Sequence, residues 1–211
     1  MGGVVARAFA EHGGRIAAIG RRVEELTTLV ESLPGGPGRH VAFPADLADL
    51  DALKAAAPVV RERLGPPAVL IHLAGGYRGE AGIIESPSAE WPAMLEVNLL
   101  SAVNSIRAFL PAIREAEGGR IVTFSSPFAS TPGATGAAYA ASKAALETLT
   151  LSVAKELAGT AATANVIVVR TIGADKPHHT RPEEIVAALL WLCSLEAGVV
   201  NGQRIRLVGR G

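Results

Sequence analysis

The stretch "GAAYAASKAALETL" (residues 136–149) sets one tyrosine and one lysine into a run of small, helix-forming residues. Tyr139 and Lys143 are four apart, so on a helix they share a face, one turn apart. A phenol with an ordinary pKa of about 10 exchanges protons poorly at neutral pH. A neighbouring ammonium favours the phenolate and lowers that value. The pair reads either as an acid and base for a carbonyl or alcohol, or as two side chains sharing a solvated face.

Three further features bear on that choice. The apolar run "GRIVTFSS" ends in two hydroxyls, Ser125 and Ser126. Ser126 is placed to bond a substrate oxygen or, more simply, to cap a turn. "MLEVNLLSA" puts Asn98 inside an apolar helical run. A buried amide needs partners, which a helix disrupted to hold a water would supply, as would core packing or a cap. "LIHLAGG" ends a strand in Ala74, Gly75 and Gly76, where the backbone can come close to a flat ligand or simply turn.

These residues need a frame, and the chain alternates. Short apolar runs read as strands at "RIAAIG", "HVAFPAD", "PAVLIHLAGG", "RIVTFSS", "NVIVVRTIG" and "GQRIRLVG". Between them lie helical patterns: "RVEELTTLVESL", "LADLDALKAAAPVVRERLG", a long stretch opening at a Ser88 cap and running from Trp91 to Glu115, "YAASKAALETLTLSVAKELAG" and "RPEEIVAALLWLCSL". Strands apolar throughout, separated by helices, indicate an α/β fold: a doubly wound parallel sheet covered on both faces. Ligands then bind at the carboxyl ends of the strands. One domain over residues 1–211 suits the length. The first helical pattern, "GGVVARAFAEHGG", has no strand before it.

Composition excludes several classes. Lys plus Arg (20) equals Asp plus Glu (20), which argues against a broad nucleic-acid surface. The single cysteine, Cys193, lies in an apolar run and cannot form an internal disulfide. No stretch reads as a bilayer span or a secretory signal, and no membrane partner is expected. His178 and His179 are adjacent in a loop with no third ligand and read as solvated, so no metal site is expected. A reduced, cytoplasmic protein is the expectation.

Together Asn98, Ser126, Tyr139 and Lys143 resemble the Asn-Ser-Tyr-Lys tetrad of the short-chain dehydrogenase/reductase family. Twelve residues separate Ser126 from Tyr139 and three separate Tyr139 from Lys143, as in that family. "LAGG" is similar to its Asn-Asn-Ala-Gly segment, with His72 and Leu73 replacing the asparagines. Asp46-Leu47 resembles its adenine-contacting pair, and "VNGQRIRLVGRG" its final strand. The resemblance implies a Rossmann fold and hydride transfer between a nicotinamide cofactor and a carbonyl or secondary alcohol. It implies that Tyr139 moves the proton, that Lys143 lowers its pKa and binds the ribose, that Ser126 polarises the carbonyl, and that Asn98 holds a relay water. Cofactor contacts are expected at Gly2, Asp46, Leu47, Ala74, Gly75, Gly76, Tyr139, Lys143 and Ile172. After "RIAAIG" an NAD enzyme usually places an acid, whereas here Arg21 and Arg22 follow Gly20. Two guanidiniums suit a 2′-phosphate, so NADP is expected over NAD, unless both are solvated arginines at a helix start.

The chain departs from the family in two places. Of its glycine-rich turn, Thr-Gly-x3-Gly-x-Gly, only the last glycine has a counterpart, Gly2, and the first strand has none. The expectation is an N-terminal truncation or a wrongly started reading frame, the alternative being another segment in that strand's place. Val169 and Arg170 hold the family's Pro-Gly places, and the segment that follows is short. A homodimer or homotetramer is expected through helices around 91–115 and 139–157, where Ala141, Ala145, Thr148 and Ser152 lie opposite the Tyr139–Lys143 face. The rival class is a catalytically silent binding or assembly protein on a reductase scaffold with impaired cofactor binding.

Overall fold

The structure is a computed structural model that describes residues 1–209; the last two residues of the expected domain, Arg210 and Gly211, lie outside the described residues. The order is α1 (Gly2–Glu11), β1 (Ala17–Gly20), α2 (Val23–Ser32), β2 (Val41–Pro44), α3 (Leu50–Leu64), β3 (Val69–His72), α4 (Glu90–Leu95), α5 (Ser101–Glu115), β4 (Arg120–Ser125), α6 (Ala137–Glu156), β5 (Thr163–Val169), α7 (Pro182–Leu192) and β6 (Arg204–Leu207). A π-helical segment, Glu96–Leu100, joins α4 to α5.

All pairing is parallel, in two sheets. β1 pairs with β2, and β3, β4, β5 and β6 pair in that order. Every residue of β4 and β5 is buried, as apolar strands covered on both faces should be. Their side chains alternate between two cores. Ile121 and Ala164 meet α3, α5 and α6 through Val60, Ile106, Phe109 and Val153. Val122, Phe124 and Ile167 meet α1 and α7 through Val5, Ile185 and Leu189. Among the described residues no strand lies between β1 and β3, and the sheet is divided there, where the sequence already lacked a first strand. The division is bridged by side chains: Ala17 and Ile19 of β1, Phe43 of β2 and Leu70 of β3 all pack against the same core.

Two local expectations are corrected. Ser88 does not cap the long helix. The Glu90 amide donates to the Pro87 carbonyl at 2.8 Å, and α4 begins after Ala89 with no side-chain cap. The expectation of no bilayer-length stretch is also corrected, because Glu90–Glu115 forms one 26-residue helical run long and apolar enough by composition to cross a membrane. In this fold Ser101, Ala102, Ser105, Ile106, Phe109 and Ile113 of that run are buried in the core. The apolar residues that made α5 a core helix are the ones that meet that test.

Candidate active site

α6 begins where the chain turns at Gly136, which has φ +75°, a left-handed conformation that glycine adopts freely. The opening turn places Tyr139, and the next places Lys143 on the same side. Opposite them, β4 ends at Ser125, and Ser126 follows, 4 % exposed, with its Oγ accepting from the Phe128 amide at 3.4 Å. Ser126 therefore caps the short 3₁₀ turn Pro127–Ala129, and its hydroxyl is close enough to Tyr139 to act on the phenol's pKa. Of the two sequence readings of this serine, the turn cap is the one seen.

Asn98 lies in the π segment and is fully buried. Its Oδ1 accepts from the Gly76 amide at 3.0 Å. Its Nδ2 donates to the Gly76 carbonyl and to Ser142 Oγ, each at 3.0 Å. The helix widens to a π turn here, and the amide, satisfied by protein groups, ties the segment after β3 to α6. Gly75 is closely enclosed. A Cβ there would stand 3.0 Å from Asn98 Oδ1 and 3.1 Å from Lys143 Nζ, so a side chain would crowd both.

Lys143 Nζ donates to the Phe124 carbonyl at 2.9 Å, and burial lowers its pKa from 10.5 to about 8. It stands 6.0 Å from the centre of the Tyr139 ring. The lysine was expected to lower the tyrosine pKa. Instead Tyr139 is raised, because burial outweighs the opposing hydrogen bond from Ser126, and Tyr77 adds to the rise. Tyr139 is thus held as a neutral phenol at physiological pH.

Three residues around the tetrad escaped the sequence reading, since nothing in their local spacing marks them, and a fourth was read only in part. Tyr77 meets the Tyr139 ring edge-on, with centroids 4.9 Å apart and planes at 81°, and donates its hydroxyl to the Gly79 carbonyl at 3.0 Å. Phe128 flanks the same ring with centroids 6.1 Å apart. Ser142 accepts from Asn98 and donates to the Tyr139 carbonyl at 2.8 Å. His72, read only as a replacement for asparagine, is 3 % exposed, and its Nε2 lies 3.2 Å from Ser101 Oγ.

Burial first, then the Lys143 charge, lowers the His72 pKa from 6.5 to about 4. Between those pH values the unfolded histidine binds a proton that the folded one refuses, so stability falls as pH drops through that window. His72→Asn is expected to lose less stability than the native protein between pH 6.5 and 4, read by urea unfolding at each pH. An equal loss in the two proteins would contradict this.

A cleft of about 240 Å³ opens at the carboxyl edge of the sheet, lined among others by Leu73, Gly75, Gly76, Tyr139, Lys143 and Ile172. Of the tetrad, Tyr139 and Lys143 line it together with Gly75 and Gly76, while Ser126, Asn98 and Ala74 are not among its lining residues. Gly2 directly follows Met1, which also lines the cleft, whereas Arg21, Arg22, Asp46 and Leu47 are not among its lining residues. Gly2 opens α1, and a Cβ there would meet nothing within 4 Å, so no close approach requires glycine at that point. Arg22 pairs with Glu25 at 2.6 Å, and Arg21 stands 4.0 Å from Asp46, all on the surface beyond β1 and β2. Asp46 Oδ1 also accepts from the Ala48 amide, and the Leu47 carbonyl accepts from Asn104. His178 and His179 meet edge-on, and among the described residues no three His, Cys, Asp or Glu side chains are grouped to hold a metal. Cys193 is partly buried, with its thiol pushed up to about 12 by burial.

Parallel strands between helices, with a ligand-sized cleft at their carboxyl ends, define a Rossmann-like α/β protein. The chain belongs to the short chain dehydrogenase family, which it matches over residues 1–184; this is a family of oxidoreductases. It is 38% identical over 160 residues to 2,3-dihydro-2,3-dihydroxybenzoate dehydrogenase of Bacillus subtilis, a match covering 75% of this chain and 60% of that protein. The chain thus spans about three-fifths of that relative's length. A 3-oxoacyl-(acyl-carrier protein) reductase of Brucella melitensis, solved with bound NAD, is 28% identical with a TM-score of 0.86, over 98% of this chain and 85% of that one. L-sorbose reductase of Gluconobacter frateurii, solved with NADPH and L-sorbose, shares the fold at 24% identity with a TM-score of 0.88, over 98% and 90% of the two chains.

Proposed function

We propose that the chain interconverts a carbonyl and a secondary alcohol by hydride transfer with a nicotinamide cofactor, NADP over NAD. One observation carries the reading: Tyr139 and Lys143 line one cleft, one helical turn apart, with the Ser126 hydroxyl close enough to Tyr139 to act on its pKa. Two hydroxyls so placed can hold one substrate oxygen between them. Ser126 donates to the carbonyl oxygen, and Tyr139, kept neutral by burial, delivers the proton in reduction. In oxidation the same phenol oxygen takes the proton back. The cleft suits the nicotinamide end of the cofactor because Gly75 and Gly76 present bare backbone beside Lys143, and Ile172 supplies an apolar wall. When bound, the cofactor supplies the hydride. Lys143 is placed to donate to ribose hydroxyls, while Asn98 holds Gly76 and Ser142 in position. A relay water at Asn98 stays part of the proposal.

The 2′-phosphate is assigned to Arg21 and Arg22. Their present carboxylate partners are exposed, and such surface pairs are weak, so the guanidiniums can turn to a phosphate. Arg21→Asp combined with Arg22→Ala is expected to shift the NADPH-to-NADH ratio of kcat/KM towards NADH by about tenfold or more. An unchanged ratio would refute the assignment.

The oligomer is proposed through α5 and α6. Ala141, Thr148 and Ser152 are exposed and Ala145 half-buried, leaving a small-residue face on which helices can approach closely. The function as a whole is tested by titrating NADPH against its fluorescence and following its consumption over a panel of ketones and oxo acids. Saturable binding with turnover is expected. No saturable signal would favour the silent scaffold.

A further inference from the structure

The cleft carries charge that the tetrad does not use. Two charged side chains line it, Lys143 and Arg170, and both are cations. Lys143 is engaged with the Phe124 carbonyl. Arg170 is exposed, and among the described residues its guanidinium has neither an ion pair nor a hydrogen bond. Other arginines of this chain are occupied: Arg7 with Ser32, Arg39 with Gly13, Arg120 with three carbonyls and Arg204 with Glu147.

The base of Arg170 is held from both sides. Before it, β5 is buried along its whole length, and its register places Val168 beside Ser125, so Arg170 emerges just past the level of Ser126. After it, the Thr171 carbonyl accepts from the Thr180 amide at 2.9 Å, and the Gly173 amide donates to the Thr180 carbonyl at 3.0 Å. Thr180 is itself buried and donates to the Leu207 carbonyl at 2.7 Å. A free guanidinium fork thus stands on a fixed backbone at the mouth of a cleft whose lining holds no carboxylate.

We propose that Arg170 binds an oxyanion, a carboxylate or phosphate, on the ligand that enters this cleft. The inference rests on the proposed reductase reading. A planar fork with parallel donors matches such groups bidentately, and two cations in one concave site raise the local concentration of anions. The oxyanion has two possible sources, the pyrophosphate of the dinucleotide or an acidic group on the carbonyl substrate.

The test compares the native protein with Arg170→Ala and Arg170→Lys in three measurements. These are NADPH affinity by fluorescence, inorganic pyrophosphate affinity by calorimetry, and the kcat/KM ratio for a 2-oxo acid against its methyl ester. Arg170→Ala is expected to lose about ten- to a hundredfold in one arm, and Arg170→Lys to recover part of it. The side chain is exposed, so thermal midpoints should agree. Loss of NADPH and pyrophosphate affinity with an unchanged acid-to-ester ratio assigns the cofactor. Collapse of the ratio with NADPH affinity unchanged assigns an acidic substrate. All three within twofold of the native protein would overturn the proposal. Native protein that neither binds NADPH nor turns over would sink the reductase reading instead. The pyrophosphate arm then still decides the oxyanion site by whether Arg170→Ala weakens binding.

Discussion

Tyr139→Phe is expected to lower kcat for carbonyl reduction by about 10²–10⁴-fold, the usual worth of a positioned acid, while the protein stays folded. The ring's contacts explain the second half. Tyr77 and Phe128 meet Tyr139 edge-on, and phenylalanine keeps the ring that both of them touch. Only the hydroxyl is lost, and Ser126 Oγ keeps the Phe128 amide. The pH dependence should differ between directions. Burial holds the phenol above its usual value, so reduction needs no titration of Tyr139 near neutrality. Oxidation needs the phenolate and should speed up as pH rises. A kcat within about threefold of the native value on a competent substrate would remove Tyr139 from the mechanism.

Asn98→Ala is expected to have the largest effect on stability among the tetrad, about 2–4 kcal/mol. The native amide is fully buried and serves the Gly76 amide, the Gly76 carbonyl and Ser142 Oγ. Alanine leaves these groups without that partner in a space it does not fill, and each unsatisfied buried group costs about 1–3 kcal/mol. Part of the penalty is relieved because Ser142 keeps the Tyr139 carbonyl and the segment after β3 can shift. The same shift would carry Gly75 away from Lys143, so nicotinamide affinity should fall as well. Urea unfolding reads the first effect and NADPH titration the second. A stability change below about 0.5 kcal/mol would show that the π segment does not depend on this amide.

The parts of this protein visible in its sequence are those set by short-range pattern. Apolar runs alternating with helical spacing specified a doubly wound parallel fold, because a strand covered on both faces needs apolar residues throughout. The four-residue step from Tyr139 to Lys143 placed both on one side of α6, because a helix returns to the same face after about one turn. Asn98 stood out because a buried amide in an apolar helix demands partners, and those partners proved to be Gly76 and Ser142.

Only the tertiary structure decided what depends on contacts between distant segments. Spacing could not tell which of its two readings Ser126 fulfils, and the fold shows the cap on its own turn. Nor could it place Tyr77 against Tyr139, 62 positions away along the chain. The direction of the Tyr139 shift reversed because desolvation depends on everything packed around the ring, not on the one cation a turn away. The order of pairing, β1 with β2 and β3 through β6 in turn, also came from the fold, because strand pairing joins residues remote in sequence. The gap between the two sheets, however, falls where the sequence already lacked a first strand. Arg170 read as a departure from a family pattern, and only the buried strand beneath it and the bridge to Thr180 made it a fixed cation at the mouth of the cleft.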